Sequence, residues 1–78
     1  MAEQLRKASL SIPLNIAEGS GRPENDARRF YGIARGSALE CAAILDAIAA
    51  LAFVHNDELQ PGFELLERVV CMLTKMSR

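Results

Sequence analysis

Catalysis or metal binding needs several donor side chains that converge, and this sequence supplies few. Its one histidine, His55, lies in a connection, and the residue three before it is Ala52. The Glu-x-x-His pairs of carboxylate-bridged metal bundles are therefore absent. Cys41 and Cys71 stand thirty residues apart, which is no zinc spacing. The turn Gly19-Ser20-Gly21 lacks the preceding strand and third glycine of a dinucleotide loop, and no Walker motif is present. Ser9, Ser11, Ser20 and Ser37 have no histidine placed by sequence to activate them. The residues point away from an enzyme, and no catalytic residue, metal, cofactor or small-molecule substrate is expected.

Charge offers a second kind of chemistry. Arg6, Lys7, Arg22, Arg28, Arg29 and Arg35 make up six of the nine positive charges and all lie in the first thirty-five residues. Glu3, Glu18, Glu24 and Asp26 share that region, and the net charge is −1 with a pI near 5.7. No global field draws the chain to nucleic acid or membrane. Two readings stand: a solvated surface of mixed sign, or a phosphate-contacting rim made by Arg6, Lys7, Arg22, Arg28 and Arg29.

Three helical segments must carry these residues. At 78 residues the chain is one domain, residues 1–78, and half its residues are hydrophobic. Alanine, leucine and isoleucine supply the apolar mass, which favours helix over strand. Breaks at Gly19–Pro23 and at His55–Asp57 give helices over about 2–18, 24–52 and 57–76. Both connections are short, so the expected fold is an all-α, antiparallel up-down bundle. The apolar surplus is most simply satisfied by forming a homo-oligomer.

Each segment carries its own signals. The first has two apolar stripes, one of Leu5, Ala8, Ile12 and Ile16 and another of Leu10, Leu14 and Ala17, so two of its sides call for a cover. Pro13 predicts a kink, or a break with Ser11 capping a new helix, and Gly19 suits the residue just past the helix end. The second segment is capped by Asn25 or Asp26, or has Pro23 in its first turn. Its Gly32 and Gly36, one turn apart, let another backbone come close. In the third, Leu59, Phe63, Leu66, Val70 and Leu73 track one face, while Pro61 is tolerable only near the first turn and moves the start toward Gln60. Met1 and Ala2 are followed by the charged and polar Glu3 and Gln4, and the longest nearly uncharged run, from Cys41 to Val54, contains Asp46 and is too short to span a bilayer. Cys41 and Cys71 read as small buried hydrophobes in a reducing compartment, so a cytoplasmic location is expected.

Two blocks carry a resemblance. The run Gln4-Leu5-Arg6-Lys7-Ala8-Ser9-Leu10-Ser11-Ile12-Pro13-Leu14-Asn15-Ile16-Ala17-Glu18-Gly19 resembles the signature of a bacterial family of four-helix-bundle proteins, the 23S rRNA intervening-sequence proteins. Phe30-Tyr31-Gly32-Ile33-Ala34-Arg35-Gly36-Ser37-Ala38-Leu39-Glu40 is similar to that family's second signature. The likeness is good from Gln4 to about Phe53 and only compositional beyond.

The resemblance implies antiparallel four-helix bundles that assemble into rings, with pentamers among them, and no enzymatic activity. Relatives include the accessory variability determinant of diversity-generating retroelements, a basic protein that binds nucleic acid. The family's first helix, which precedes the Gln-Leu-Arg run, has no counterpart in these residues, so the three segments correspond to helices two to four. Asn15, Glu18, Arg35, Gly36, Ser37 and Glu40 are the signature positions carried over, with Arg35 expected to pair with Glu18 or Glu40 and fix helix register. The expected function is a non-catalytic oligomeric scaffold whose partner, protein or nucleic acid, the sequence does not name. The alternatives are a nucleic-acid-binding accessory protein and a truncated remnant that does not assemble.

Overall fold

A computed structural model describes residues 2–51 and 56–78. It is all-α over that span, with helices α1 (Ala2–Ser20), α2 (Glu24–Ala50) and α3 (Asn56–Met76) and no strand among the described residues. Ala52, the expected end of the second helix, and Phe53, together with His55 at the start of the second predicted break, lie outside the described residues.

α1 is one helix through Pro13, so Ser11 does not cap a new one. Proline costs the helix one donor, and Pro13 is exposed, which leaves the carbonyl it would have served open to water. The helix also continues past Gly19 to Ser20, so Gly19 is not its terminator. What selects glycine there is space. A methyl placed on its Cα would lie 2.7 Å from Cε1 of Tyr31 and 3.2 Å from the carbonyl oxygen of Ala27. The end of α1 thus rests directly on the start of α2. The turn closes with hydrogen bonds from the Gly21 amide to the Glu18 carbonyl and from the Arg22 amide to the Gly19 carbonyl.

Pro23 occupies the N-cap position of α2, outside its first turn, and neither Asn25 nor Asp26 caps the helix. Glu24 and Asp26 in that turn face the positive end of the helix dipole. α3 starts at Asn56 and carries Pro61 inside it, five residues on, which corrects the expected start near Gln60. Asp57 and Pro61 are both exposed, so solvent reaches the carbonyl that Pro61 leaves unserved.

α2 is the shared wall. α1 and α3 both pack on it, and no Cα of α1 comes within 8 Å of one in α3. The molecule measures 44 by 22 by 13 Å, an open and oblong section. Among the described residues the buried hydrophobic ones are Ala8, Ala27, Ala34, Ala38, Cys41 and Leu73, and Leu73 is the one bulky side chain fully enclosed. Small residues bring the helices together, and most large apolar side chains among the described residues are only half-buried or exposed.

The two glycines of the first turn region separate this reading from a generic flexible turn. Gly19→Ala is expected to destabilise the chain by about 1–3 kcal/mol, the usual cost of forcing atoms into filled space. Gly21→Ala, whose methyl would meet only the Glu18 carbonyl at 3.8 Å, is expected to stay within about 0.5 kcal/mol of the parent. Urea denaturation followed by circular dichroism checks both, and equal effects would contradict the account.

Candidate functional site: two polar pins and an open groove

Three of the signature residues, Asn15, Ser37 and Arg35, fall into two groups, one at each side of α2. On the α1 side, Ser37 Oγ donates to Ser11 Oγ at 2.8 Å. Asn15 Nδ2 donates to the same oxygen at 2.9 Å and to the Ser11 carbonyl at 2.8 Å. Ser11 is therefore the hub that joins Asn15 and Ser37 across the two helices. Its place beside Pro13 marks Ser11 in the sequence as a candidate helix cap, and nothing there marks it as a hub.

On the α3 side, Arg35 Nε donates to Thr74 Oγ1 at 2.8 Å, and Thr74 Oγ1 donates to the Val70 carbonyl at 2.7 Å. Arg35 does pin two helices, but its partner within the chain is neither Glu18 nor Glu40. Glu40 lies five residues on, about 140° around the helix. Glu18 is engaged at the end of α1, where it accepts from Arg22 at 3.2 Å. No local pattern marks Thr74, because its link to Arg35 exists only once α3 has docked. Gly36 and Glu40 join neither pin: both are exposed, and a methyl on Gly36 or Gly32 would meet nothing within 4 Å. The close approach expected at these glycines is not made within the chain.

The basic candidates are mostly occupied by their own acidic neighbours. Arg6 pairs with Glu3, and this contact holds the Glu3 carboxyl below its ordinary range and raises the guanidinium of Arg6. Arg22 reaches Glu18 and Asp26, Arg28 reaches Glu24 at 3.1 Å, and Arg29 reaches Asp26 at 3.8 Å. Arg22 and Arg29 also lie over the Phe30 ring, 5.1 and 4.5 Å from its centre. Lys7 makes no ion pair among the described residues. The surface is mixed in sign at short range, and exposed pairs of this kind contribute little to stability.

Between α1 and α3, above α2, runs a groove of about 440 Å³. Leu5, Ile12 and Pro13 form one bank, Leu65 and Val69 the other, with Cys41 and Leu45 between them, and none of its ten lining residues is charged. Leu65 is 61% exposed. On the far side of α1 the second stripe is bare as well, with Leu14 66% and Leu10 48% exposed. Burial, and secondarily the charge of Glu40, pushes the Cys41 thiol above its ordinary range, so it stays protonated at neutral pH. Cys71 is exposed rather than buried as expected. Among the described residues no group of three or more His, Cys, Asp or Glu is placed to hold a metal. Nor is any helix among them long and apolar enough to cross a membrane.

Helices pinned by hydroxyl and guanidinium contacts around an uncovered apolar groove define a small all-α packing module. The model of the family described as 23S rRNA-intervening sequence protein matches residues 1–75, and the chain belongs to that family. The match runs through α3, well past Phe53, where the motif likeness thinned. No curated protein and no solved structure matches the chain.

If Arg35 and Thr74 act as one pin, their effects on stability are not additive. Arg35→Ala and Thr74→Val are each expected to destabilise, and the double variant to cost less than their sum by about 1 kcal/mol. A double-mutant cycle by urea denaturation measures this, and strict additivity would show that the contact carries no energy. The thiols give a simpler check: a thiol-disulfide exchange reagent should label Cys71 at once and Cys41 only on unfolding, and equal rates would contradict the burial.

Proposed function

We propose that this chain is a non-catalytic scaffold or interaction module that works by assembling with copies of itself. One observation carries the reading: the apolar groove over α2 is uncovered along its length. The surface area agrees. The chain exposes 5248 Å², whereas a compact monomer of its mass exposes roughly 4,650 Å². That difference, on the order of 600 Å², approaches the area each partner contributes to a stable dimer, about 800 Å².

The three helices fit an antiparallel up-down arrangement. Ser37 meets Ser11 while Tyr31 lies against Gly19, and Arg35 meets Thr74 while Leu45 lies near Gly62. In both pairs, contacts move back along one helix as they advance along the other. This sense supports helices two to four of a four-helix plan, with the groove as the seat of a fourth helix. Two free cysteines suit a reducing cytoplasm. A nucleic-acid rim is the weaker reading, because Arg6, Arg22, Arg28 and Arg29 each already face a carboxylate.

Assembly that completes the fold makes stability depend on concentration. The thermal midpoint of the 78-residue chain is expected to rise as protein is raised from about 1 to 100 μM, and a midpoint that stays fixed would oppose self-assembly. Binding to a labelled RNA or DNA oligonucleotide, if any, should be weak. A tight complex at low salt that collapses steeply with added salt would favour the phosphate-contacting rim instead.

A further inference from the structure

We infer that the outer face of α2 is a self-association seam, on which a second copy packs its own α2 antiparallel about a twofold axis centred between Gly32 and Gly36. The inference rests on the assembly reading and adds to the open groove a second surface, on the opposite side of α2, together with its symmetry.

The face is bare within the chain. At 100° per residue Gly32, Gly36, Leu39 and Ala43 fall within an arc of about 60°, and all four are exposed. Ile33 and Leu39 flank the glycines and are 43% and 44% exposed. Glycine in a helix interior is unfavourable relative to alanine. Packing within the chain gives no reason for two of them, since a methyl on either meets nothing within 4 Å. Close approach of another backbone would give one.

Charge identifies that backbone as a second copy of α2. Arg29 and Glu40 lie about 20° apart on one flank of this face, and roughly 16 Å apart along the axis, too far to pair within one helix. Their midpoint falls at residues 34 and 35, beside the midpoint of the two glycines. When two helices pack antiparallel, the same flank of each meets across the seam. A twofold axis at that point therefore brings Arg29 to Glu40 of the second copy, and Glu40 to its Arg29. In a parallel pairing the two flanks would lie on opposite sides of the seam, and neither Arg29 nor Glu40 would meet its counterpart. Glu40 makes no ion pair among the described residues, and the one ion pair of Arg29 there is its 3.8 Å contact with Asp26 on its own helix, beside its place over the Phe30 ring.

Charge exchange tests the seam. The 78-residue chain is compared with Arg29→Glu, Glu40→Arg and the double variant, with the self-association constant taken from a light-scattering concentration series. Each single variant should weaken association about tenfold or more, because like charges then oppose one another twice across the axis. The double variant should restore it. Restoration cannot arise inside one chain, where the two positions never meet. Gly36→Leu should also lower the assembled mass without loss of helicity by circular dichroism, since its side chain has open space in the single chain. Three results would overturn the seam: unchanged association in the single variants, a double variant no better than the worse single, or full assembly of Gly36→Leu. A parent chain that never assembles overturns the assembly reading along with it. A parent that assembles regardless of the charge exchange removes only this seam.

Discussion

The structure depends on how little space separates α2 from its two neighbours. Ala27, Ala34, Ala38 and Cys41 face inward from α2, with Ala8 and Gly19 presented by α1. Side chains of this size let helix axes come close, but they bury little apolar area, and hydrophobic stabilisation scales with area at about 25 cal/mol per Å². The interior is tight and thin. Among the described residues most leucines, isoleucines and methionines are only half-buried and several, Leu10, Leu14, Ile33, Leu39 and Leu65 among them, are exposed, and the groove and the bare faces of α1 and α2 follow from that placement.

Thin packing gives few steric reasons for a unique register, and polar contacts supply them. Ser11, Asn15 and Ser37 lock α1 on one side of α2, and Arg35 with Thr74 locks α3 on the other. No buried side-chain polar atom among the described residues lacks a partner. Such contacts are directional where apolar packing is not, so they can hold the helices in place while much apolar surface stays uncovered. Three of the signature residues, Asn15, Ser37 and Arg35, thus act as structural pins, and the exposed charges around the first turn pair with each other within single turns of helix.

Helix existence and type were legible from periodicity, because a 3.6-residue repeat survives in a chain this rich in alanine and leucine. The two apolar sides of α1 were legible for the same reason. Boundaries were not. Gly19 reads as a terminator in sequence, yet glycine is required there by the Tyr31 ring, twelve positions along the chain, a packing demand that no local rule encodes. Pro61 sits deeper in its helix than propensity allows, because an exposed carbonyl can turn to water. The Arg35 partner was missed since a carboxylate was the natural guess for a guanidinium, whereas the geometry of α3 presents a hydroxyl. Gly32 and Gly36 signalled close packing, and the signal finds no answer inside the chain.

A module with a core of alanines and an open groove should complete itself with further surface, and that expectation ties the fold to the proposed role. Its most direct measurement is the solution mass by sedimentation equilibrium. The account predicts a multiple of the 8.5 kDa chain mass, with the proportion of assembled protein rising with concentration. A well-folded species of 8.5 kDa across the whole concentration range would contradict it.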